Sequence, residues 1–114
     1  MYMLGNKEGS MSYIKNIMQE EHRRLQALYQ KYSDKIDMLP KGAVSIKKRN
    51  KSEYLYLASR RNGKVRFDYI GSVGSENARK ILEQVKFRKD YEGKLKQVKG
   101  DLREIEKVIR GRKI

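Results

Sequence analysis

The chain has 114 residues, no cysteine, and a formal net charge of +14 from 28 basic and 14 acidic side chains. That length allows one domain with a modest core. The missing thiols exclude a disulfide framework and a thiolate metal site, and the charge points to a polyanionic partner, nucleic acid before any other.

Residues 1–10, Met-Tyr-Met-Leu-Gly-Asn-Lys-Glu-Gly-Ser, have no periodicity and no secretory pattern. They are expected to be a flexible tail before a single α+β domain over 11–114, with Met11 an alternative start. Residues 12–38 read as a helix: Ile14, Met18, Leu25, Leu28, Tyr32 and Leu39 recur at spacings of 3, 4 or 7, interrupted by Glu21. Ser12 is the expected N-cap, and Pro40 should stop the helix near Met38.

A three-stranded antiparallel meander follows over residues 43–70. Residues 43–49 alternate, with Val44 and Ile46 on one side and Ser45, Lys47 and Arg49 on the other. Asn50, Lys51 and Ser52 supply a turn. The strands near 53–60 and 65–70 flank Asn62-Gly63, a strong hairpin signal that fixes their register. Arg61 then faces Lys64, Arg60 faces Val65, Ala58 faces Phe67 and Tyr56 faces Tyr69. One face carries Tyr54, Tyr56, Ala58, Arg60, Val65, Phe67 and Tyr69. The other carries Leu55, Leu57, Ser59, Arg61, Lys64, Arg66, Asp68 and Ile70. The aromatic face is expected to lie under the helices and the basic face to be exposed.

Gly71-Ser-Val-Gly-Ser75 punctuates the chain, with Ser75 an N-cap and Glu76 favourable in the first helical turn. A long helix is predicted over 76–110, ended by Gly111, with a heptad seam from Leu95 through Val98, Leu102, Ile105 and Ile109. Gly93 and Gly100 lie off that seam, where local softness competes with a kink or the close approach of another chain. Neither helix can bury its stripe alone, so the two pair with each other or with a second copy. On these boundaries the second helix outlasts the first by roughly 8 residues, which predicts a homodimer or protein partner engaging Leu102, Ile105 and Ile109.

Charge is uneven. Residues 41–72 hold nine basic and two acidic side chains, against six and five in 1–40 and 13 and seven in 73–114. Lys47, Arg49, Lys51, Ser59, Arg61, Lys64 and Arg66 are therefore the candidate DNA-contacting residues, since arginine grips phosphates or guanine edges and a ribbon fits the major groove. Tyr54, Tyr56, Phe67 and Tyr69 would instead stack RNA bases if the helices cover Leu55, Leu57 and Ile70. Ser72, Gly74 and Ser75, between strand and helix, are weaker candidates for a phosphate contact through backbone N–H groups. His22 is the single histidine, and no pair of acidic residues is spaced for two-metal work, so neither catalysis, a cofactor nor a metal is expected.

Leu39-Pro-Lys-Gly-Ala-Val-Ser-Ile-Lys-Lys and the segment Tyr54 to Gly71 resemble a family of small uncharacterised prokaryotic proteins. Their pattern is Pro-Lys-Gly-Ser, an aromatic-rich strand, Gly-Lys-Val and Tyr-Ile-Gly, then a long charged helix; Ala43 stands here in place of the serine. The meander is also similar to the arm-type DNA-binding domains of tyrosine recombinases and to the start of some insertion-sequence transposases. That similarity implies DNA contact through the sheet, in a stand-alone module from a mobile element, a defence locus or a toxin–antitoxin pair.

Together these readings predict a small non-enzymatic DNA-binding protein of a reducing, cytoplasmic compartment, regulatory or antitoxin-like in role. A helical protein-interaction module is the alternative, and RNA binding the third reading. No membrane partner is expected, because no stretch approaches the ~20 apolar residues of a span.

Overall fold

A computed structural model describes the backbone of residues 7–112 and the side chains of residues 12–111. The elements are α1 (Lys7–Asp37), β1 (Ala43–Arg49), β2 (Ser52–Arg61), β3 (Lys64–Ser72) and α2 (Glu76–Arg112). The fold is α+β: a helix, a three-stranded antiparallel sheet in the order β1-β2-β3, and a long helix. The chain divides into two compact units, one of residues 1–34 with 93–114 and one of residues 35–92, so each helix contributes to both.

In the sheet unit, two backbone turns, Met38 N–H to Lys35 carbonyl and Leu39 N–H to Ile36 carbonyl, close the end of α1 just before Pro40. Gly42, in the Pro-Lys-Gly run, has φ 121°, and a side chain there would strike the Ala58 carbonyl oxygen. Both strand connections are two-residue loops. Asn50 takes a left-handed φ of 58°, while Asn62 and Gly63 take 52° and 78°, as a type I′ turn requires.

The expected register of the second hairpin holds from Arg61↔Lys64 to Tyr56↔Tyr69. Beyond it the ladder shifts: Leu55 pairs Gly71, leaving Ile70 as an extra residue in β3, a β-bulge. Gly71 is buried at φ 153°, and a Cβ there would sit 2.8 Å from the Ser75 hydroxyl. Ser75 caps α2, its Oγ accepting the Ala78 N–H at 3.2 Å.

The packed side of the sheet is the reverse of the one expected. Leu55 is wholly buried, together with Ile36, Ala78 and Val85, so the end of α1 and the start of α2 share a core with the Leu55 face. On the other face Val65, Phe67 and Tyr69 are 53%, 49% and 59% exposed, and Tyr54 and Tyr56 are half-buried. The physical reason is chemical. Val44, Leu55 and Leu57 put aliphatic groups with no polar atom on the packed side, where Ile46 at the sheet edge stays 51% exposed, whereas Tyr54, Tyr56 and Tyr69 keep hydroxyls that water can serve.

In the other unit the helices run antiparallel. His22 Nε2 lies 2.9 Å from Glu106 Oε2, and the ammonium groups of Lys99 and Lys94 stand 5.9 Å from the rings of Tyr29 and Tyr32. Leu25 and Val98 are its buried apolar residues. An exposed ion pair joins Arg24 to Glu21, and its hydrogen bonds hold the Glu21 carboxyl below the usual range.

Several boundaries differ from expectation. The helix starts at Lys7, so Ser12 is inside it: no proline interrupts residues 7–11, and Glu8 suits a first turn. Residues 7–10 of the expected tail are thus helical, and residues 1–6 lie outside the described residues. Likewise α2 runs through Gly111. A Cβ on Gly93 or Gly100 would meet open space, so no described part of the chain approaches them closely.

The longer α1 also removes the basis for a seam left free on α2. Fifteen residues of α1 precede His22, whereas six of α2 follow Glu106, so α1 overhangs α2. Ile105 lines a groove with Met18 and Leu25, and Leu102 and Ile109 are half-buried. The more exposed apolar side chains are on α1: Tyr13 at 68%, Ile14 at 42% and Ile17 at 47%.

Candidate functional site

The open sheet face is built by cross-strand rows. Ala43, Ala58 and Phe67 form one; Ser45, Tyr56 and Tyr69 the next; Lys47, Tyr54 and Ser72 the third. Arg60 and Val65 extend the face toward the hairpin tip, and Arg49 and Ser52 close its other end. Antiparallel pairing puts directly opposed side chains on the same face, so these rows collect aromatic and basic groups together.

The rings touch. Tyr69 meets Tyr56 edge-on with centroids 5.5 Å apart, and Tyr54 at 6.1 Å in a tilted contact. Lys47 reaches diagonally over the face, its ammonium 4.1 Å from the Phe67 centroid and 4.9 Å from that of Tyr56. The result is a cluster of mutually tilted aromatic rings with a cation held against it and two arginines, Arg49 and Arg60, exposed at its ends.

The residues singled out from sequence do not form one surface. Lys47 and Arg49 are on the aromatic face, because Lys47 pairs with Tyr54 and Arg49 with Ser52. Ser59 pairs Arg66, and Arg61 pairs Lys64, which puts these four on the Leu55 side of the ribbon. Arg61, Lys64 and Arg66 are exposed there, near the tip, while the Ser59 hydroxyl oxygen is buried without a hydrogen-bond partner. Lys51 stands exposed in the first turn. Arg60 joins them as a residue the charge pattern does not single out: the Asn62-Gly63 register puts it opposite Val65, on the aromatic side expected to be packed.

At the strand–helix junction several backbone donors are engaged internally. The Val73 N–H binds the Glu53 carbonyl at 3.0 Å and the Ser75 N–H binds the Ser72 carbonyl at 2.9 Å. With the Ala78 N–H on Ser75 Oγ, Ser72, Gly74 and Ser75 make a turn and a helix cap. His22 is a helix-to-helix contact remote in sequence from the sheet. Among the described residues no group of three or more His, Cys, Asp or Glu side chains could hold a metal, and no helix is long and apolar enough to cross a membrane.

No curated protein and no solved structure matches the chain. A family described as a domain of unknown function, DUF6788, matches residues 18–80. The match takes in more than half of the chain, including the Pro40-Lys41-Gly42 run, the whole sheet and the start of α2, and the protein belongs to that family.

Proposed function

We propose that the protein binds single-stranded nucleic acid, RNA first, across the open face of its sheet. The observation that carries this reading is the exposure of Phe67 and Tyr69, with Tyr54 and Tyr56 beside them, on a face that also holds Lys47, Arg49 and Arg60. Aromatic rings left to water on a sheet flanked by cations give unpaired bases a stacking surface and give phosphates their counter-charges. A duplex keeps its base faces inside its own stack and has no use for such rings. A stacked base would take the place of the Lys47 ammonium over Phe67, freeing that charge for a phosphate. The role is binding, with no catalytic step assigned.

A second reading is favoured by Arg61, Lys64 and Arg66, exposed near the tip of a two-stranded ribbon, a shape suited to the major groove of duplex DNA. It is also the reading that the likeness to recombinase arm domains would carry. Fluorescence anisotropy with labelled single-stranded RNA, single-stranded DNA and the matching duplex separates the two. Phe67→Ala combined with Tyr69→Ala is expected to weaken single-strand binding at least about thirtyfold, since each stacked base contributes ~1–3 kcal/mol. The same variant should leave the salt slope intact, because no charge changes. Tight duplex binding indifferent to those two rings would give the function to the hairpin tip instead.

A further inference from the structure

Beside the aromatic face, β3 and the first turns of α2 enclose an open groove of about 420 Å³, lined by Tyr69, Ile70, Asn77, Lys80, Ile81 and Gln84. We propose that this groove is a nucleotide-reading subsite that prefers adenine. The inference rests on the single-strand reading above and adds base selectivity to it.

Three features of the chain assemble the groove. β3 is an edge strand, so nothing in the sheet covers its outer side. The bulge at Ile70 breaks the strand's alternation just where it meets the groove, which lets consecutive residues, Tyr69 and Ile70, line one space. On α2, Asn77, Lys80, Ile81 and Gln84 fall at helical spacings of three, four and seven and therefore share one side. Tyr69 belongs both to the stacking face and to the groove, so a strand lying on the sheet would run into it.

The lining chemistry selects the occupant. Among the described residues none holds the side-chain amides of Asn77 and Gln84 in a hydrogen bond, and none pairs with the Lys80 ammonium. Asn77 and Gln84 stand two helical turns apart, about 10.5 Å, with Lys80 between them, a span that suits a base and its phosphate. An amide presents a donor and an acceptor together, the pattern that matches adenine N6 and N7. The groove has no guanidinium and no carboxylate to accept the cytosine amino group; its one cation, Lys80, would reach guanine O6 and N7 only by giving up the phosphate, whereas the two amides are left for adenine. Ile81 supplies an apolar floor and Lys80 a charge for the phosphate.

The test uses the full chain and four labelled octauridylates that differ only in one central base, A, G, C or U. The unaltered protein should bind the adenine oligonucleotide about tenfold more tightly than the all-uridine one. Asn77→Ala combined with Gln84→Ala should bring that ratio to within about twofold. Circular dichroism of the variant establishes that α2 is retained. Binding without base preference, a guanine-first order, or a preference that survives the double substitution would each overturn the subsite while leaving the stacking face standing. No binding of any of the four would overturn the reading beneath it and the subsite together.

Discussion

Arg88 holds the end of α1 in place with a single side chain. Its Nη1 donates to the carbonyl oxygens of Ile36 at 3.0 Å and Leu39 at 3.1 Å, and its Nε to Glu92 at 3.3 Å, with the side chain only 16% exposed. The Ile36 carbonyl already accepts the Leu39 N–H, so the guanidinium adds a second, charge-assisted bond there and one to the Leu39 carbonyl just past the helix, where the partial negative charge of the helix end favours a cation. Arg88→Ala should destabilise the protein by about 2 kcal/mol, the range for charge-assisted hydrogen bonds, as a lower denaturation midpoint at unchanged slope. Arg88→Lys should recover only part of that loss, because an ammonium lacks the planar fork. A midpoint unmoved by Arg88→Ala would mean that water serves those carbonyls equally well. Nothing in the sequence marked this residue: it is one basic side chain in a helix full of them, and its two carbonyl partners are about fifty positions away. His22 and Glu106 were hidden from sequence reasoning for the same reason.

At the scale of elements, the sheet divides what local chemistry can specify from what it cannot. Asn62-Gly63 fixed the pairing of twelve residues, six on each strand, because a two-residue loop with both φ values positive admits one register. The choice of packed face was not legible. Both faces carry apolar side chains at period two, and alternation alone leaves open which one the helices cover. The bulge at Ile70 was likewise invisible, since it depends on Gly71 passing beneath Ser75. The candidate site followed the same division. Its basic and aromatic residues were recognised, but their grouping depended on the β1 register and on the covered face. The stability of two truncations checks the assignment of faces. Leu55→Ala should cost about 2–5 kcal/mol, the usual range for emptying a filled core position. Tyr69→Ala, at 59% exposure, should cost about 1 kcal/mol or less. The reverse order, measured by urea denaturation, would mean that the aromatic face is covered in solution.

For the whole molecule, the open question is whether +14 acts as a diffuse field or through placed charges. A diffuse field attracts any polyanion and responds equally to the loss of any three charges. A placed set responds according to where the phosphates lie. Lys47, Arg49 and Arg60 border the stacking face, whereas Arg103, Lys107 and Arg110 are exposed on the last three turns of α2. Replacing either set by serine changes the net charge by the same amount. Each phosphate contact on a single strand contributes about 0.7 to the slope of log affinity against log salt, so loss of the first set should flatten that slope by about 2. Loss of the second set should lower affinity modestly at low salt and leave the slope nearly unchanged, because a side chain that contacts no phosphate releases no counterion on binding. Titrations of both variants between low and physiological salt decide the matter. Equal flattening by the two sets would show attraction by bulk charge, in which case the arrangement of rings and cations on the sheet would carry no binding specificity.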